Sequence, residues 1–150
     1  MKIALRYGLI ITAGLIAWTL ITHALIPNPQ SAVHKVGAFT FFNLLHFAGI
    51  YLGIKALERE QHSKPTFKDG VKQGVLISVV YAVTAALYFV LTLFVIGTKW
   101  MAGEATSPNE PMWLVGIKAF AGLTLFTIFF GFIYSTLISF VLAKRFSTEP

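Results

Sequence analysis

The stretch that decides the fold is residues 75–97, which read VLISVVYAVTAALYFVLTLFVIG. They carry no charged side chain, and as an α-helix they would be about 34 Å long, enough to cross about 30 Å of membrane hydrocarbon. Three further apolar runs cover residues 7–26, 36–54 and 114–143. Because lipid offers no partner to backbone N–H and C=O groups, all four runs are predicted to be transmembrane helices.

Composition supports this assignment for the whole chain. Of the 150 residues, 56% are hydrophobic and only 12% are charged, which is too apolar for a water-soluble domain. The lysines and arginines flank the apolar runs instead of forming a patch, so the net charge of +6 indicates membrane topology and not a nucleic-acid partner. We therefore predict one transmembrane domain over residues 1–150, with the lipid bilayer as its main partner.

The connections between the runs are short, so consecutive helices should pack antiparallel in an all-α four-helix bundle. The positive-inside rule assigns the side richer in Lys and Arg to the cytoplasm. This predicts a bacterial inner-membrane protein with both termini in the cytoplasm; a cleaved signal peptide over the first run is the alternative. Nine cations lie on the predicted inner side (Lys2, Arg6, Lys55, Arg59, Lys64, Lys68, Lys72, Lys144, Arg145) and three on the outer side (Lys35, Lys99, Lys118).

Two segments of the chain are similar to each other. Residues 6–12 and 72–78 both read as a cation, a polar or aromatic residue, a glycine, three aliphatics and a hydroxyl residue. More weakly, Gly49 in the second run aligns with Gly131 in the fourth. The pattern indicates two duplicated parallel hairpins, an arrangement known in transporters, or convergence of helix starts on a common composition.

Small residues recur every fourth position in three of the runs, which places them on one helix face and allows a neighbouring helix to approach closely. We interpret these stripes as packing faces within one chain; contacts with a second copy or with a membrane-protein partner are the alternative. The residues are Gly49 and Gly53 in the second run, Gly74, Ser78, Ala82 and Ala86 in the third, and Thr127, Gly131, Ser135 and Ser139 in the fourth.

His46 lies near the middle of the second run, and Asn43 lies one turn earlier on the same face. Polar side chains at this depth are costly unless they are partnered, so a polar cluster is predicted there, with partners such as Thr12, Thr84 or Thr127. Such a cluster either contacts a ligand, proton or metal, or forms a structural hydrogen bond between helices.

The sequence lacks the residue patterns that metal binding, cofactor binding and catalysis require. There is no cysteine, the histidines lie at different depths, and the runs contain no Asp or Glu, so no metal site or cofactor is predicted. No nucleophile, phosphate-binding or dinucleotide motif occurs either, so the chain is not predicted to be an enzyme.

The polar connection after the second run is basic. Lys64, Lys68 and Lys72 would lie against the inner leaflet, where they could bind anionic lipid headgroups or serve only as an ordinary positive-inside loop.

Gly53-Ile54-Lys55, Arg59 and residues 66–74, TFKDGVKQG, are the motifs through which residues 49–97 resemble a bacterial family. This is domain of unknown function forty-one ninety-nine, small proteins of four membrane helices seen mainly in Bacteroidetes; the start Arg6-Tyr7-Gly8 is also similar. The resemblance covers about two thirds of the chain and excludes the fourth run. It implies a four-helix membrane fold and brings no known activity.

Together these features predict a non-enzymatic membrane protein that serves as an accessory or assembly subunit of a membrane complex. The alternative is a small transporter or channel in which His46 and Asn43 line a path. That alternative requires a hydrated cavity that reaches His46.

Overall fold

A computed structural model describes residues 1–25, 32–61, 65–96 and 110–146. These residues form four helices, α1 (Lys2–Leu25), α2 (Ala32–Gln61), α3 (Phe67–Ile96) and α4 (Met112–Phe146), and the described ranges contain no strand. All four helices are long and apolar enough to cross a membrane. The predicted all-α transmembrane fold is therefore confirmed.

The helices are longer than the apolar runs, chiefly at one end of the bundle. α1 begins five residues before residue 7, α2 continues seven residues beyond residue 54, and α3 begins eight residues before residue 75. Hydropathy detects the part of a helix that contacts lipid, whereas a helix continues into the interface with polar side chains such as Lys55 and Glu58, which form an ion pair at 2.9 Å. Residues 58–61 and 67–70, which belong to the polar connection between the second and third runs, are therefore helical.

The start of α3 is closed by side chains that pair with the backbone. Asp69 N–H donates to Thr66 Oγ1 at 3.2 Å, and Asp69 Oδ2 accepts from the Thr66 hydroxyl at 2.7 Å and from the Thr66 N–H at 3.3 Å. This reciprocal arrangement is a capping box, with Asp69 in the place usually taken by glutamate. It explains why the helix begins at Phe67 and not at the first uninterrupted apolar residue.

Contacts between the helices give their directions. Thr12 and Thr84 share a hydrogen bond of 2.6 Å, and Gly8 packs against Val80, so α1 and α3 run parallel. Gly49 of α2 packs against Ile11 of α1, and Leu45 of α2 packs against Gly14 of α1, so α1 and α2 run antiparallel. Neighbours in sequence are therefore antiparallel in space, as predicted. We call the end with the start of α1 the inner end and the opposite one the outer end.

α2 and α3 each contact all three other helices, whereas α1 and α4 do not touch each other within the described residues. Each hairpin packs in a similar register, because Ile11 meets Gly49 in the first and Ser78 meets Gly131 in the second. A two-fold axis relating the hairpin α1–α2 to the hairpin α3–α4 would require α1 and α4 to touch as α2 and α3 do. They do not touch within the described residues, so the two hairpins are not arranged about such an axis. Duplication of the hairpin stays a prediction.

The small-residue stripes of α3 and α4 face each other. In each close pair a glycine of one helix meets a serine of the other, and a Cβ atom on Gly74, for example, would lie only 2.7 Å from Ser135 Cβ. The stripe of α2 packs inside the chain too, with Gly49 against Ile11 and Gly53 against Ile77. The glycine and serine pairs are Gly70 with Ser139, Gly74 with Ser135, and Gly131 with Ser78.

Candidate functional site

His46 lies at the midpoint of α2, 14 residues from its start and 15 from its end. Its side chain is only 3% exposed and stands where α2, α3 and α4 meet. The ring centroid is 4.9 Å from that of Tyr81 and 5.6 Å from that of Tyr134. Gly131 leaves room for the ring, because a Cβ atom there would lie 3.2 Å from His46 Cε1.

The contacts of His46 and Ser78 favour one tautomer of the imidazole. His46 Nε2 lies 2.9 Å from Ser78 Oγ, and Ser78 Oγ donates its one hydrogen to the carbonyl oxygen of Gly74, also at 2.9 Å. We assign the proton to Nε2, because this assignment keeps both contacts of Ser78 as hydrogen bonds, with Nε2–H donating to Ser78 Oγ. A neutral imidazole has one donor and one acceptor nitrogen, so Nδ1 holds a lone pair.

Asn43 does not bond to His46. Its Nδ2 donates to the carbonyl oxygen of Phe39 at 2.7 Å, and its Oδ1 accepts from the Tyr134 hydroxyl at 2.6 Å. The hydroxyl partners suggested by the sequence are arranged differently, since Thr12 and Thr84 bond to each other. The partner of His46 is instead a serine from the packing stripe.

A cavity of about 370 Å³ extends from His46 and Tyr81 toward the outer end of the bundle. All four helices contribute to its wall, which is mostly aromatic and aliphatic, and Thr127 and Ala86 from the predicted stripes also face it. His46, Tyr81 and Asn43 form its polar floor near the middle of the membrane. Representative wall residues are Leu15 of α1, Phe39 and Phe42 of α2, Ala85 and Phe89 of α3, and Phe126 of α4.

A second space of about 340 Å³ follows the seam between α2 and α4. Leu44 and Phe47 line it and are 64% and 41% exposed, so it is a groove on the lipid-facing surface. Asn43 borders both the groove and the cavity. Its hydrogen bond to Tyr134 therefore joins α2 to α4 beside both spaces.

The remaining candidate residues lie away from the cavity. Lys68 and Lys72 are exposed and one turn apart near the start of α3, while Lys64 lies outside the described residues. Lys118, the one cation within an apolar run, forms an ion pair with Glu110. Among the described residues, no three His, Cys, Asp or Glu side chains are grouped so that they could hold a metal ion.

Comparison of the chain with protein-family models, with curated proteins and with solved structures found no match. The resemblance of residues 49–97 to a four-helix family therefore stays a prediction.

Proposed function

We propose that the protein is a non-enzymatic membrane protein that binds an uncharged, lipid-derived molecule between its helices. The observation that carries this proposal is the cavity with apolar walls and a polar floor at His46. Its volume of about 370 Å³ falls within the range of about 300–1,000 Å³ typical of ligand sites. A dry cavity of about 150 Å³ binds benzene, so on that scale this one holds roughly 15 non-hydrogen atoms.

The wall of the cavity favours an apolar ligand over an ion. None of its lining residues is Lys, Arg, Asp or Glu. An ion at this depth would need charged or carbonyl ligands to replace its water, because desolvating it in an apolar space is very costly. The transporter alternative requires a cavity that reaches His46, and such a cavity is present, but its apolar wall fits a lipid-like cargo and not a hydrated path.

The accessory or assembly subunit predicted from the sequence is the second candidate. The small-residue stripes of this protein pack within the chain and are not free to contact a partner. A partner protein would instead contact the lipid-facing side of α4. That side presents Phe129, Phe132 and Phe140, which are 53–61% exposed. Another protein that co-purifies in a fixed ratio would support this candidate.

The proposed location is a bacterial inner membrane with both termini in the cytoplasm. Its support is the grouping of Lys2, Arg6 and Arg59 with Lys68 and Lys72 at the inner end of the helices. We also propose that the chain belongs to the four-helix family that residues 49–97 resemble.

Photolabelling tests the binding proposal. The protein is placed in nanodiscs with a dodecane that carries a diazirine, and the labelled residues are mapped by mass spectrometry. We expect saturable labelling at cavity-lining positions such as Phe89 and its loss in Ala85→Phe, which fills the cavity. Ala121→Phe is the matched control, because Ala121 is exposed on α4. Labelling confined to lipid-facing residues, and equal in both variants, would contradict the proposal.

A further inference from the structure

We propose that the molecule in the cavity is a lipid alcohol whose hydroxyl donates a hydrogen bond to Nδ1 of His46. This inference rests on the proposed function and names the class of ligand that the same site takes. It follows from counting the donors and acceptors at the polar floor.

Most hydrogen-bonding groups at the floor are already used. His46 Nε2–H donates to Ser78, whose own hydrogen goes to the Gly74 carbonyl oxygen. The Asn43 amide donates to the Phe39 carbonyl oxygen and accepts from Tyr134. The group left over on His46 is Nδ1, an acceptor, in a side chain that lines the cavity.

An acceptor at the end of an apolar cavity selects among lipid head groups. A ketone, ester or quinone oxygen can only accept, so it could bond to the Tyr81 phenol but would leave Nδ1 without a donor. A fatty acid would bring its carboxylate charge to the membrane centre, at a high desolvation cost. An alcohol donates to Nδ1, remains uncharged, and offers its oxygen to the phenol of Tyr81, which lines the same floor. The alcohol is therefore the class that fits.

The test is competition against the photoreactive dodecane, with dodecanol, dodecyl methyl ether and dodecane compared at equal mole fraction in the bilayer. Dodecanol should compete about fivefold better than the ether, because one hydrogen bond distinguishes them. This preference should disappear in His46→Phe, which keeps an aromatic ring without the acceptor. Thr92→Val changes the cavity wall toward the outer end and should keep the preference.

The tautomer gives a second readout. Ser78→Ala removes the acceptor that holds the proton on Nε2, so the ring can place it on Nδ1 instead. In that variant, dodecan-2-one should compete as well as dodecanol, whereas in the unmodified protein it should not.

The outcomes separate this inference from the proposed function. If all the probes compete equally in the unmodified protein, binding stands and the assignment of an alcohol is overturned. If the dodecanol preference persists in His46→Phe, the hydroxyl is recognised elsewhere and the assignment to His46 is overturned. If no probe competes and labelling is not saturable, the proposed function itself fails.

Discussion

Gly131→Ala is expected to destabilise the bundle by about 1–3 kcal/mol, the usual cost of overpacking a close contact. The new Cβ atom would overlap the side chain of Ser78 and press on His46, whose Cε1 would be 3.2 Å away. Gly122 on the same helix is the matched control, because a Cβ atom there meets nothing within 4 Å. Gly122→Ala should be neutral or stabilising by up to about 1 kcal/mol, since alanine is the better helix former.

The free energy of unfolding can be measured by titrating mixed micelles with sodium dodecyl sulfate and following helical circular dichroism. The double variant Ser78→Gly/Gly131→Ala should recover part of the loss, because it removes the side chain that the new Cβ atom meets. Equal stability of Gly131→Ala and Gly122→Ala would mean that α3 and α4 do not approach each other at this point.

The orientation in the membrane gives an all-or-none prediction. The chain has no cysteine, so each introduced cysteine is the only thiol. Lys68 is exposed in the first turn of α3. Pro111 is exposed just before α4, at the opposite end of the bundle. In spheroplasts, a membrane-impermeant maleimide should label Pro111→Cys, and should label Lys68→Cys only after the membrane is permeabilised. The reason is the excess of Lys and Arg at the inner end.

Detergent permeabilisation should make both variants react equally, which controls for accessibility of the two thiols. Labelling of Lys68→Cys in intact spheroplasts, with protection of Pro111→Cys, would reverse the proposed orientation. The helix packing described above would be unaffected by that result.

The number and character of the helices could be predicted because uncharged runs of this length have few alternatives in a membrane. Their inner ends could not be predicted from hydropathy, which stops at the first charged residues although the helix continues. The start of α3 did carry a local signal, Thr66 followed three residues later by Asp69, which indicates a capping box.

The depth of His46 was predictable by counting residues along the helix, but its partner was not. A four-residue spacing identifies a face of small residues without saying which helix packs against it. That depends on how the helices are rotated about their axes, and the rotation brings Ser78 to both His46 and Gly131.

The cavity was not predicted for the same reason. It forms because Ala82, Ala85 and Ala86 of α3 face aromatic residues of α2 and α4 without filling the space between them. A sequence shows the small and large residues but not which of them lie opposite one another.

The most direct test of the central claim is to extract the protein from its own membrane into nanodiscs without detergent and identify the bound molecules by mass spectrometry. Ala85→Phe and Ala121→Phe are treated in parallel. We predict that a lipid alcohol accompanies the unmodified protein and Ala121→Phe in a fixed ratio and is missing from Ala85→Phe. If all three proteins carry only bulk lipids in the same proportions, the cavity binds no ligand and the account is wrong.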